Sequence, residues 1–266
     1  MSKLEKPVFG TEEWAKYSAN CISGCSHNCK YCYAKEMAVR YGRKTPDNWQ
    51  DEIVNHDKLE KNFRKRDGRF MFPTSHDITP DVLNYCMSFL EKILKAGNEV
   101  LIVSKPHLDC IRAICARFNE YQEQILFRFT IGSTDNATLR FWEPYAPSFD
   151  ERMESLVYAY HLGFATSVSC EPLLDNKADE LISRFSPYVT DTIWIGKVNN
   201  MMYRLRMNGY IDTETITRAT KLMNDLSDNY FIDLYERYKD NFQIKWKESV
   251  KKVIGIVVPV ERGLDI

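Results

Sequence analysis

The chain has 266 residues, 44% hydrophobic and 27% charged, with a formal net charge of −1. That is enough for the core of one large α/β domain with or without a small appendage, and it excludes a disordered chain. The near-neutral charge gives no global signature of nucleic-acid binding, although local patches can still bind phosphate.

No stretch approaches transmembrane length, so no membrane partner is expected. Met1-Ser2-Lys3-Leu4-Glu5-Lys6-Pro7 contains no apolar export signal. The eight cysteines therefore read as cytosolic thiols and metal ligands rather than disulfides, and the expected compartment is the cytoplasm.

A first strand is expected from about Tyr17 to Ile22. It leads into Gly24-Cys25-Ser26-His27-Asn28-Cys29-Lys30-Tyr31-Cys32-Tyr33-Ala34, a Cys-x3-Cys-x2-Cys run with an aromatic residue before the last cysteine. Cys thiolates are the usual ligands of a [4Fe-4S] cube. Three ligands packed this closely hold three irons and leave the fourth open to chelate a small molecule through an amine and a carboxylate. A zinc knuckle and a disulfide cluster are the rival readings. Zinc normally takes a fourth Cys or His at finger-like spacing, and His27 lies inside the first loop, poorly placed to reach the same ion.

After a helix at Tyr33–Tyr41, one pattern recurs: a short apolar run, a polar tip, then a helical pattern. The runs are Arg69–Ser75, Glu99–Lys105, Ile125–Ser133, Gly163–Glu171 and Thr192–Lys197. The intervening helices are expected at Pro80–Ala96, Leu108–Tyr121, Ser148–Leu162 and Asn176–Phe185. Strands alternating with helices imply parallel βαβ units, here an α/β fold in the form of a partial (β/α)6 TIM-like barrel. Residues 1–200 form that barrel, and residues 201–266 form a mostly helical C-terminal extension packed on it. Within the extension, Tyr210–Tyr238 is helix-like with an N-cap at Asp212 or Thr213. Val253–Val260 reads as an added strand or a packed tail.

The cysteine run resembles the cluster loop of the radical S-adenosylmethionine (radical SAM) superfamily, in particular its spore photoproduct lyase-like, DNA-repair photolyase-related group. The segments Phe72-Pro73-Thr74-Ser75-His76-Asp77, Val103-Ser104-Lys105 and Glu143-Pro144 through Glu151-Arg152 are similar to the same group. Ser169-Cys170-Glu171-Pro172-Leu173-Leu174 is similar to phage-associated radical SAM proteins. The likeness covers roughly residues 17–200.

It implies a [4Fe-4S] cluster held by Cys25, Cys29 and Cys32, with S-adenosylmethionine (SAM) on the open iron. It also implies an electron donor such as a flavodoxin or ferredoxin, and reductive cleavage of SAM to a 5′-deoxyadenosyl radical. Tyr31 is then expected at the adenine or as a shield of the cluster, Thr74 and Ser75 at the SAM amine, and Lys105 at its carboxylate. Ser133 falls at a strand tip and, with Thr130, is a further candidate for cofactor binding.

Arg128 and Thr130 alternate with Phe127, Phe129 and Ile131, so the polar pair is expected to line the lumen. Glu171 is expected to pair with Arg128 or to hold a ribose hydroxyl. Cys170 has two readings, a hydrogen-atom donor at a strand tip or a buried core thiol, and alternation with Ser169 and Glu171 favours the second. The run Lys61–Arg69, with Arg40, Arg43 and Lys44, either forms a basic rim for DNA or RNA or is a solvated helix end. The substrate reading is a nucleic-acid base, repaired or modified in a lyase-like reaction. The alternatives are a small molecule or peptide, and a non-catalytic iron–sulfur module.

Overall fold

Seven strands form one parallel sheet in the computed structural model, which describes residues 7–264. The strands in chain order are β1 (Tyr17–Ser18), β2 (Ile22–Ser23), β3 (Ile53–Val54), β4 (Phe70–Phe72), β5 (Val100–Ser104), β6 (Ile125–Thr130), β7 (Ala165–Cys170), β8 (Ile193–Ile195) and β9 (Ile244–Trp246). The sheet runs β1-β4-β5-β6-β7-β8-β9, and β2 pairs separately and antiparallel with β3. Helices α1 (Tyr33–Arg40), α2 (His56–Glu60), α3 (Leu83–Lys95), α4 (Leu108–Arg117), α5 (Asn136–Trp142) and α6 (Phe149–His161) accompany the first half. The second half carries α7 (Ala178–Phe185), α8 (Met201–Met207), α9 (Thr213–Asp225), α10 (Asp228–Tyr238) and α11 (Glu248–Ile254).

Alternation along the strands divides the interior in two, because successive side chains leave opposite faces. Phe72, Ile102, Phe127, Phe129, Val168 and Ile195 join the core between sheet and helices. Burying a side chain such as Phe127 stabilises by roughly 1.5–3 kcal/mol. Their neighbours Met71, Leu101, Leu126 and Trp194 face the lumen, where they meet Trp14 and Ala15 from the N-terminal segment. That segment forms a 3-10 turn at Gly10–Glu13 and closes the lumen from inside. Val8 N donates to Pro259 O at 2.9 Å and Gly263 N to Glu12 O at 2.8 Å, so the C-terminal tail lies along the same segment.

Three placements differ from the sequence expectation. The run from Tyr17 to Ile22 is split, because Asn20 turns out of the strand and its Oδ1 accepts from both Thr74 N and Ser75 N at 2.8 Å. Val253–Val260 forms no strand. Glu248 in the first turn, Lys251 and Lys252 in the last and Gly255 in the left-handed conformation make α11 instead. The strand that the tail region adds to the sheet is β9, parallel to β8.

Candidate active site

The three cysteines reach one wall of a cavity of about 760 Å³ that opens at the C-terminal ends of the strands, the end where parallel barrels place their sites. Gly24 turns the chain into the loop. Its φ is +100°, and a Cβ there would lie 2.3 Å from Asp51 O, so only glycine fits. Asn28 also takes a positive φ, with its side chain held by Gln50 Oε1 at 3.2 Å and by Lys35 Nζ at 2.9 Å. Cys32 caps α1, its Sγ accepting from Lys35 N at 3.4 Å, so the helix N-terminus points at the sulfur and favours negative charge there.

Cys25 and Cys29 are 9% and 7% exposed. Burial pushes the Cys25 thiol well up and the Cys29 thiol to about 12, with the Lys105 ammonium pulling Cys29 the other way. Thiolates here would therefore need a cation beside them, which an iron–sulfur cluster would supply. Among the described residues no three His, Cys, Asp or Glu side chains converge on a point that would hold a single metal ion. A cube presents its irons at separate corners, so ligands to one stand around it. Two buried thiols and the half-buried Cys32 on one wall, of the ligand type such clusters use, fit that group.

Beside the sulfurs lies a buried polar tetrad. The Tyr31 hydroxyl donates to Glu143 Oε1, Arg152 pairs with Glu143 Oε2, and Lys105 Nζ is 3.7 Å from Glu143 Oε1. Burial opposes ionisation of Glu143, but Arg152 and then Lys105 hold its carboxyl below the ordinary value. Burial likewise opposes charge on Lys105, and Cys29, Glu143 and Asp77 together raise its ammonium above the ordinary range. Asp77 sits behind Lys105. Its Oδ2 accepts from Lys105 N at 2.9 Å and lies 3.3 Å from His27 Nδ1. Burial opposes its charge too, yet His27, Lys105 and the Ser104 hydroxyl keep the carboxyl well below the usual carboxylate range. His27 turns its other nitrogen to His107 Nε2 at 2.9 Å, so both ring nitrogens are engaged.

The cavity brings together Cys25, Cys29, Cys32, Tyr31, Thr74, Ser75, Lys105, Thr130 and Glu171. Two candidates lie elsewhere. Ser133 is fully buried, hydrogen-bonded to Asp175 Oδ2 and accepting from Asp135 N at 2.9 Å, so it shapes the loop before α5. Cys170 is also inaccessible, in the core between sheet and helices, where burial pushes its thiol up. Its placement is the core reading, on the face of β7 opposite Ser169.

Arg128 does not meet Glu171. It bonds Ser167 Oγ at 2.9 Å and Asp191 Oδ2 at 3.1 Å, while Glu171 lies 3.6 Å from Lys247. The Lys61–Arg69 run also sits away from the mouth. Arg66 N donates to Asn98 Oδ1 at 2.8 Å, which fixes the run beside the N-terminal end of β5, at the opposite end of the barrel. Lys44 is buried, with Nζ bonded to the carbonyls of Asp51 at 2.8 Å and Asn48 at 3.2 Å. One basic rim is not formed.

The sequence reading missed the roles of Glu143 and Arg152, although it quoted both, because a buried acid–base pair has no local signature. It also missed the contribution of the extension, whose Glu248 and Lys252 line the cavity.

No family model matches the chain. An uncharacterized protein of Methanocaldococcus jannaschii is 26% identical over 180 residues, 66% of this chain and 68% of the relative. An uncharacterized protein of Acidianus two-tailed virus is 23% identical over 193 residues, 68% of this chain and 64% of the relative. A spore photoproduct lyase double mutant with bound AdoMet and dinucleoside spore photoproduct superposes with a TM-score of 0.53. That match is 17% identical and covers 86% of this chain and 67% of that chain. The chain has the spore photoproduct lyase fold. It is a parallel sheet of alternating strands and helices to which β9, from the region after residue 200, adds the seventh strand. The chain thus spans about two thirds of the proteins it resembles.

Proposed function

We propose that the protein is a radical SAM enzyme whose substrate is a nucleic-acid base, repaired or modified in a lyase-like reaction in the cytoplasm. The observation that carries this reading is the convergence of Cys25, Cys29 and Cys32 with Lys105, Thr74 and Ser75 on one cavity at the strand ends. A [4Fe-4S] cluster with one open iron, together with SAM, supplies one-electron radical chemistry when both are bound. Cys25, Cys29 and Cys32 are the residues that would hold the cluster. Lys105 offers a cation to a carboxylate, and its partial tie to Glu143 keeps it aimed without neutralising it at short range. Thr74 and Ser75 are fixed by Asn20 at the end of β4, where they offer hydroxyls to an amine. Tyr31 orients Glu143 and shields the sulfurs from water, which tunes a cluster potential. Electrons would come from a flavodoxin or ferredoxin.

The base as substrate is supported by the spore photoproduct lyase match, whose ligand is a dinucleoside. The net charge of −1 favours the second reading, a small molecule or peptide. Anaerobic reconstitution tests the cluster: about four irons and four sulfides per chain are expected, lost in a Cys25/Cys29/Cys32 triple-Ala variant. Stoichiometric zinc without iron in protein purified from anaerobic cells would overturn it.

A further inference from the structure

Lys197, Val198 and Asn200 line the cavity of the cysteines and also a second cavity of about 310 Å³ on the extension. Asn200 takes a left-handed φ of +53° at this shared rim and turns the chain from the end of β8 into α8. Beyond the rim the second cavity is apolar, walled by Met202 and Tyr203 of α8 and by Met223 and Leu226 at the end of α9. Met202, Tyr203 and Met223 are 38%, 45% and 43% exposed. Exposed apolar side chains gathered in one concavity are the signature of a contact surface. Methionine and tyrosine together suit a flat aromatic ring, because thioether sulfur and phenol ring both pack against π systems.

Arg204 follows Tyr203 on α8 but lines the first cavity, so one helix serves both. The lysines around that cavity are committed: Lys105 to Glu143 at 3.7 Å, Lys197 to Asp228 at 2.6 Å, and Lys252 to the Phe9 ring at 4.4 Å. The lining carboxylates have other cations, Glu12 with Arg262 at 2.8 Å and Glu171 and Glu248 with Lys247 at 3.6 and 3.8 Å. Burial raises the Glu171 carboxyl, and Lys247 draws it down more than Arg204 does. Among the described residues the half-buried Arg204 has no hydrogen-bond, ion-pair or ring partner. A guanidinium with its planar fork free matches a phosphate in geometry and charge.

We propose that the second cavity holds the nucleotide next to the reacting base, with Arg204 on the phosphate that joins the two, so that the substrate is a strand and not a free nucleoside. This rests on the base reading above and adds the form in which the base is presented. The test is equilibrium binding to the reconstituted holoenzyme with SAM and no reductant. The probes are the common nucleosides of DNA and RNA, dinucleoside monophosphates made from them, and the same dinucleosides with an uncharged methylphosphonate link. The wild type should bind its best dinucleoside monophosphate about tenfold more tightly than the matching methylphosphonate, as for one charge-assisted hydrogen bond. Arg204→Gln should bind the two equally, with nucleoside and SAM affinity unchanged. Tyr203→Ala should lose about tenfold for the dinucleoside, as for one stacked base, and nothing for the nucleoside. Equal binding of the charged and uncharged links by the wild type, or a Tyr203→Ala that binds the dinucleoside like the wild type, would overturn the inference, while nucleoside binding would leave the base reading standing. A loss of SAM affinity in Arg204→Gln would assign the guanidinium to the SAM carboxylate and overturn its role at the phosphate. No binding of any nucleoside or dinucleoside by a wild type that binds SAM would overturn the base reading itself.

Discussion

Asn208 donates its side-chain amide to the carbonyl of Cys32 at 3.0 Å, and to that of Lys30 at 2.9 Å, across 176 and 178 residues of chain. Tyr210 OH adds a bond to Asn28 O at 3.3 Å, and Lys30 Nζ reaches Thr215 Oγ1 at 3.1 Å. The extension therefore clamps the cysteine loop from outside the barrel. Asn208→Ala removes the partner of the Lys30 carbonyl and one of the two donors to Cys32 O, which keeps Glu36 N at 3.1 Å, an expected cost of about 1 kcal/mol. It should also speed loss of the cluster on dilution into a chelator, followed by the decay of its visible absorbance. An unchanged decay rate would show that the loop holds its shape without the clamp.

Gly196 lies where β8 must let Glu171 and Lys247 pass. A Cβ there would stand 2.7 Å from Glu171 Cγ and 3.1 Å from Lys247 Cγ. Gly196→Ala is expected to destabilise by about 1–3 kcal/mol, the usual cost of overpacking. Because Glu171 is the obstacle, adding Glu171→Ala should recover much of that loss. Urea denaturation of the two single variants and the double variant measures the coupling, and purely additive losses would contradict the contact.

Stability should fall as the pH rises from about 5 toward 7, because of Glu248. Burial, then the charges of Glu171 and Glu13, raise its carboxyl from 4.5 to about 7. Above pH 4.5 the unfolded chain releases this proton while the folded protein keeps it until about pH 7, so the stability it contributes is full below that window and lost across it. Glu248→Gln should flatten the slope and be the more stable protein at pH 8, by about 1–3 kcal/mol. Denaturation at pH 5, 6, 7 and 8 reads this directly, and parallel slopes for the two proteins would contradict it.

Much of the barrel was legible because its signals are local. Alternation in Ile125–Thr130 and Ala165–Cys170 assigns each side chain to lumen or core, and it correctly placed Ser169 and Cys170 on opposite faces. The cysteine spacing likewise groups three thiols in one loop, and the fold sets that loop on the cavity. What was not legible depends on distant partners. Nothing around Lys247 announces that it will be fully buried between Glu13 and Glu171, since both acids lie far away in sequence. Asn208 reads as an ordinary residue at the end of a helix until the fold lays it on Cys32. The basic run at Lys61–Arg69 misled for the same reason, because local charge does not tell which end of a barrel it occupies.

Lys105 is the cation on the cavity wall closest to Glu143, with 16% of its side chain exposed. Lys105→Ala should weaken SAM binding by about 1.5–3 kcal/mol, as for a hydrogen bond to a charged group. Glu143 keeps Arg152 as its partner, so the fold should survive. Equilibrium binding of SAM to the reconstituted, unreduced protein is the measurement, and an unchanged affinity would remove Lys105 from the site.

The central claim, that these cysteines serve radical SAM chemistry, is tested most directly by the fate of SAM itself. Reduced with dithionite under strict anaerobiosis, the wild-type protein should convert SAM to 5′-deoxyadenosine and methionine, slowly even without substrate. Cys32→Ala should not. 5′-Deoxyadenosine no higher in the wild type than in Cys32→Ala, with an intact and reducible cluster in the wild type, would contradict the account.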